Sequence, residues 1–280
     1  MPKFDTPDQI TANIEPGVGN VTIVASDRID TVVEVRPTNP DEESDVDAAE
    51  RTTVDFAAGT LTVKGPRINP LSWSSKTRSI DVTVELPTGS NVHGSTGMGD
   101  LTATGRLGDV SYKTGLGHIQ LDEAAALSAT SATGNVLGNR FTGKATITTA
   151  GRLQVGELVD GGELKNSNGA TVIGTTRGPV KVRSANGDIT IEEATHDVEA
   201  KTAVGAVRVL DAERGSLTLE TSMGEIEVGI RAGSSAWLDV KTKFGRVRNE
   251  MTASEAPAET AEQVEIHANT SFGDVIVRRA

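Results

Sequence analysis

The chain has 280 residues, no cysteine, 30 glycines, 3% aromatic residues and a net charge of −12. The lack of cysteine excludes a disulfide framework and a thiolate metal site, and the acidic balance argues against nucleic acid, whose phosphates need a basic footprint. No run of 18 apolar residues occurs, so no membrane span is expected; the opening MPKFDTPDQI lacks the pattern of a signal peptide, so a cytoplasmic location is expected, with surface display left open.

Residues 1–90 read as irregular N-terminal coils and a cap. Two apolar alternations start there, Gly-Asn-Val-Thr-Ile at Gly19 and Gly-Thr-Leu-Thr-Val at Gly59, each 40 residues from the next such glycine. Between them, residues 37–50 (PTNPDEESDVDAAE) form an acidic insertion. Asn39-Pro40 can start a short helix in it, with acids suited to the first turn.

Residues 91–280 carry a regular repeat. Its centre is a glycine with a hydroxyl residue three positions before it. The glycines are Gly99, Gly117, Gly134, Gly151, Gly169, Gly187, Gly205, Gly224, Gly245 and Gly273, mostly 17 to 19 residues apart. Two and four residues after the glycine come apolar pairs such as Ile119/Leu121, Ile189/Ile191 and Val207/Val209. Seven and five residues before it come Val110/Tyr112, Val180/Val182 and Leu217/Leu219, and seven after it Ala124, Phe141 and Leu158. Period two marks strands, and the change of parity at the glycine marks a corner. Each unit is therefore one coil of about 18 residues that hydrogen-bonds to its neighbours, and stacking closes a core no single unit can bury. The expected fold is all-β, a single-stranded β-solenoid.

The hydroxyl column, Thr96, Thr114, Ser131, Ser184, Thr202, Thr221, Thr242 and Thr270, shares the parity of the inward residues. It is expected at an inward corner, bonding within itself and to turn amides. Asn166 replaces the hydroxyl in one unit, and Thr148 or Thr149 serves the unit of Gly151. After Gly169 the sequence Ala-Thr-Val-Ile moves the apolar pair by one position. An acidic loop is expected at 250–262, and Arg278-Arg279 reads as the charged edge of a last coil.

These residues resemble a known group. TGMGDLTATG, NSNGATVIG, SANGDITIEEA, VEAKTAVGAVRV and WLDVKTKFGRVRN, with SDVDAAERTTVDFAAGTLTVKGP and SIDVTVELPTGS before them, are similar over most of the chain to the bacterial β-strand-repeat proteins named the "putative adhesin" family, a domain of unknown function. The resemblance implies a right-handed β-helix and brings no catalytic residues.

No catalytic, cofactor or metal residues are expected. His93, His118, His196 and His267 fall in different coils without ligand spacing. Gly-Asp pairs at Gly99, Gly187 and Gly273 lack the nonapeptide of calcium β-rolls. Gly17-Val-Gly19, Gly97-Met-Gly99 and Gly115-Leu-Gly117 complete no phosphate loop. A threonine ladder facing inward does not suit ice. A carbohydrate-active β-helix would need paired carboxylates in a groove, and none stands out. Met98, Met223, Phe244 and Phe272, each just before a corner glycine, form a stripe that either docks a partner or packs against loops. The reading is a non-catalytic binding or scaffold protein, a monomer or an end-to-end oligomer, whose partner is a protein or a glycan. An exported adhesin and a carbohydrate-active enzyme are the alternatives.

Overall fold

The structure, a computed structural model, describes residues 1–66, 78–251 and 262–280. It is a β-solenoid with one described helix, and the chain divides into two compact units, Met1–Asn139 and Arg140–Ala280.

In the first unit the coils stack in parallel register. Leu101 lies beside Ile119 and Val92 beside Val110. The alternation of apolar and polar residues puts these side chains inside. The coil first in sequence is not the outermost. Strand Thr11–Val18 lies between Asn91–Met98 and Thr60–Lys64, and Val21–Ser26 lies between Leu101–Leu116 and Ile80–Pro87. Beyond the outer coil the chain reverses. Thr53–Ala57 runs antiparallel to Thr60–Lys64, Asp30–Pro37 to Ile80–Pro87, and Lys3–Asp5 to Asp30–Pro37. Gly59 is thus not a coil glycine like Gly19. With Ala58 it makes a two-residue hairpin turn, both at positive φ (48° and 75°), the geometry that matches strand twist.

The insertion at 37–50 contains the helix Glu43–Glu50, with Glu43 and Asp45 in its first turn. It is not simply exposed. Asp45 is buried, and its carboxylate accepts the amides of Asn39 (3.2 Å) and Ser79 (2.8 Å), tying the helix to the strand behind it.

From Leu153 to Ile226 the second unit repeats every 18 or 19 residues. Val180, Val198 and Leu217 form one buried column, and Ile189, Val207 and Ile226 another. Removing each such side chain from water contributes about 1.5–3 kcal/mol. The order of the final coils differs from the order in sequence. Gly215–Met223 pairs with Gln263–Phe272, and that strand pairs in turn with Ser235–Phe244. The C-terminal coil is inserted, and among the described residues, 235–249 form the outermost one. Arg278-Arg279 is therefore not the edge. Arg278 bonds Glu227 (2.8 Å), and Arg279 donates to the carbonyls of Arg231 (3.1 Å) and Ser234 (2.8 Å). Of the acidic loop expected at 250–262, residues 252–261 lie outside the described residues.

The corner glycines serve close approach. At Gly187 (φ 138°) a Cβ would stand 2.1 Å from the Gly169 carbonyl oxygen of the neighbouring coil. Gly245 has no positive φ, yet a Cβ there would meet Gly273 O at 1.9 Å, so contact rather than conformation selects glycine.

Candidate binding surface

The hydroxyl column works as a set of bonds from coil to coil. Thr114 donates to Gly99 O (3.0 Å), Ser131 to Gly117 O (2.7 Å), Thr202 to Gly187 O (3.1 Å) and Thr221 to Gly205 O (2.9 Å). Thr270 donates to Gly224 O (3.0 Å), Thr242 to Gly273 O (2.8 Å) and Thr96 to Gly17 O (3.2 Å). The partner is thus a carbonyl of the neighbouring coil, at the corner glycine except for Thr96, rather than another hydroxyl. Thr149, not Thr148, takes this place before Gly151, paired in register with Asn166. At Gly169 the Asn166 amide occupies the carbonyl (2.9 Å), and the Ser184 hydroxyl, which follows it, has no partner.

The Gly169 coil keeps its register despite its sequence. Thr171, not Val172, points inward and pairs with Leu153 and Ile189. Its buried hydroxyl accepts a bond from Asn166 Nδ2 (3.2 Å). The two departures from the repeat in this coil satisfy each other.

A second ladder was not anticipated. At five corners the side chain after the glycine accepts the amide of its counterpart one coil on. Asn20 takes Asp100 N (3.0 Å), Asp100 takes His118 N (2.7 Å), and His118 Nδ1 takes Asn135 N (2.9 Å). Asp188 takes Ala206 N (2.8 Å), and Asp274 takes Arg246 N (2.9 Å). The Ala206 amide, with Arg208, holds the Asp188 carboxyl below the ordinary carboxylate range. The Gly-Asp pairs are amide acceptors. The signal in sequence was the recurrence of Asp, Asn and His, all short acceptors, at this one position.

The Met/Phe stripe resolves into two columns. In the first unit Met98 stands between Val18 and Leu116. In the second, Val204, Met223, Phe272 and Phe244 follow one another in register. These four are 46%, 56%, 52% and 66% exposed. The Phe244 and Phe272 rings stack at 4.9 Å and 9°. Such a column forms because a solenoid places one sequence position of every coil in a line. Earlier in the same column stand Asn168 and Asn186, so the apolar part is confined to the last four coils.

The carboxylates nearest to a catalytic arrangement are already engaged. Arg231 gathers Glu193 (2.5 Å), Asp211 (2.6 Å) and Glu213 (2.6 Å), and it holds the Glu193 carboxyl below its ordinary range. Arg140 and Arg177 likewise flank Glu157. An open depression of about 560 Å³ is bordered by Asp122 and Glu123, but Asp122 accepts from Gly105 N (3.0 Å) and Asn139 Nδ2 (3.2 Å). Among the described residues no three His, Asp or Glu side chains are grouped to hold a metal ion, and no helix is long and apolar enough to cross a membrane.

Residues 13–278 match the family model of Toastrack DUF4097. No curated protein matches the chain. Solved structures similar to it include a "putative lipid binding protein" from Parabacteroides distasonis, 12% identical over 100% of this chain and 96% of that one, with a TM-score of 0.40. A "putative adhesin" from Parabacteroides merdae is 11% identical over 99% and 94%, with a TM-score of 0.33. Another from Bacteroides fragilis is 11% identical over 99% and 95%, with a TM-score of 0.31.

Proposed function

This chain belongs to the Toastrack DUF4097 family, and from that premise we propose that it is a non-catalytic scaffold whose second unit binds a protein partner through the column Val204, Met223, Phe272 and Phe244. The observation that carries the reading is the exposure of four large apolar side chains aligned on consecutive coils. Water contact at such a row is unfavourable, and contiguous apolar surface of this kind marks contact sites. A protein suits it better than a glycan. One face of the Phe272 ring is taken by Phe244 and is not free to stack on a sugar ring. Engagement of the Glu193, Asp211 and Glu213 carboxylates by Arg231 supports a role without turnover.

The test is photo-crosslinking in the native host with a photoreactive residue at 223, and at 181 on a charged face as control. Crosslinks to one protein from position 223 alone are expected. Affinity of that protein for a Met223→Ser, Phe272→Ser variant should fall about tenfold or more, since burying each side chain is worth about 1.5–3 kcal/mol. Equal crosslinking from both positions, or unchanged affinity, would sink the reading.

A further inference from the structure

We propose that two copies of this chain join through their outermost second-unit coils, strand Ser235–Phe244 of one pairing antiparallel with the same strand of the other. This inference does not rest on the apolar column as a partner site.

Among the described residues no strand covers the outer edge of that strand. In the inner coils the amide at this place donates outward to the next coil, as Val180 N does to Asp197 O (3.0 Å). The register runs from Val180 through Val198, Leu217 and Ile266 to Leu238. Leu238 therefore aims its amide away from Gln263–Phe272, and so does Val240 two residues on. The corner amides give the same picture. Gly205, Gly224 and Gly273 donate to Met223 O (2.8 Å), Phe272 O (2.9 Å) and Phe244 O (3.1 Å), and Gly245 ends the series. Among the described residues no strand pairs with this edge.

The core is open there too. Ile266 and Ala268 are buried, whereas Leu238 and Val240, the same positions one coil outward, are only half-buried. Trp237, Phe244 and Val247 on this coil are exposed. A long open edge of this sort invites another strand, and folds normally block it. The first unit does so. Its outer coil is covered by antiparallel strands, and among the described residues the outermost of these are short, three residues in Lys3–Asp5 and five in Thr53–Ala57. Ser235–Phe244 has ten. Among these edges the one that matches it in length is its own copy, which makes the contact two-fold and closed.

The charges agree with that symmetry. A two-fold axis at Val240 sets Asp239 of each copy opposite Lys241 of the other, and Leu238 opposite Thr242, keeping inward residues on one face. Within one chain Lys241 already reaches Asp239 at 2.9 Å.

Sedimentation of the full chain over a range of concentrations tests this. The native protein should show a two-chain mass that dissociates on dilution. Asp239→Lys places lysine opposite lysine and should weaken the dimer about tenfold. Adding Lys241→Asp restores the opposite charges and should restore the dimer. Val240→Pro removes only an amide that faces the open edge, so it should give a monomer with an unchanged circular dichroism spectrum. A single-chain mass for the native protein at every concentration overturns the proposal. So does a dimer indifferent to Asp239→Lys and Val240→Pro, or a charge-swapped double variant that stays monomeric. None of these variants replaces Val204, Met223, Phe272 or Phe244, so the outcome is separable from the partner site.

Discussion

Tyr112 lies fully buried, and its hydroxyl has no hydrogen-bond partner. Burial pushes its ionisation well above the ordinary range for a phenol. The ring is admitted by Gly94 on the neighbouring coil, where a Cβ would stand 3.0 Å from Tyr112 Cε2. An unpaired buried hydroxyl costs about 1–3 kcal/mol, while the ring itself packs. Tyr112→Phe is therefore expected to stabilise the fold by about 1 kcal/mol in urea unfolding; a loss of stability would mean that the hydroxyl is satisfied. Asn166 and Thr171 show the converse case. Each breaks the repeat in sequence, and their mutual hydrogen bond lets both stay inside. The sequence pattern exposed each anomaly but not that the two meet, because the bond depends on how the corner folds between them.

At the scale of elements, the strands of the second unit end in a row of charges centred on Arg231. The Glu193 carboxyl is lowered first by its bond to Arg231, against desolvation. A carboxyl whose folded value lies below its unfolded value adds stability above the unfolded value, about 4.3 for Glu, and that stability is lost as pH falls through the folded value. Arg231→Ala should thus destabilise by about 1 kcal/mol near neutrality, a modest figure because the group is partly exposed. The difference from the native protein should narrow as pH falls below about 4. Thermal melts of both proteins between pH 7 and pH 3 check this, and a gap that widens in acid would contradict it. The hydroxyl column and the short-acceptor column act at the same scale. Both join coil to coil at the corners, where backbone amides and carbonyls turn away from the strand ladder and need other partners.

At the scale of the whole molecule, the order of coils in space departs from their order in the chain at each end of the repeat. In the first unit the Gly19 coil slips inside the coil of Thr60–Lys64 and Ile80–Pro87. In the second, Gln263–Phe272 slips inside Ser235–Phe244. The C-terminal coil thereby gains a neighbour on both sides. Terminal segments usually fray, but here amide exchange at Ile266 and Ala268 should be slower than at Leu238 and Val240, measured at concentrations low enough to keep the chain monomeric. Faster exchange at Ile266 than at Leu238 would mean that the coils stack in sequence order.

The sequence by itself determined the coil, its length near 18 residues, the glycine corners and the inward columns. Each of these follows from residue type and local periodicity, and a repeat states them many times over. It also marked the apolar residues before the glycines. Only the tertiary structure decided which coil lies outermost, because the Gly245 and Gly273 coils carry the same pattern and periodicity does not distinguish two stacking orders of equivalent coils. The same holds for Gly59, whose local sequence matches a coil but whose neighbour is an antiparallel hairpin strand. The split of the Met/Phe stripe into two columns, and the joining of Phe244 to Phe272, likewise depend on contacts between residues far apart in the chain.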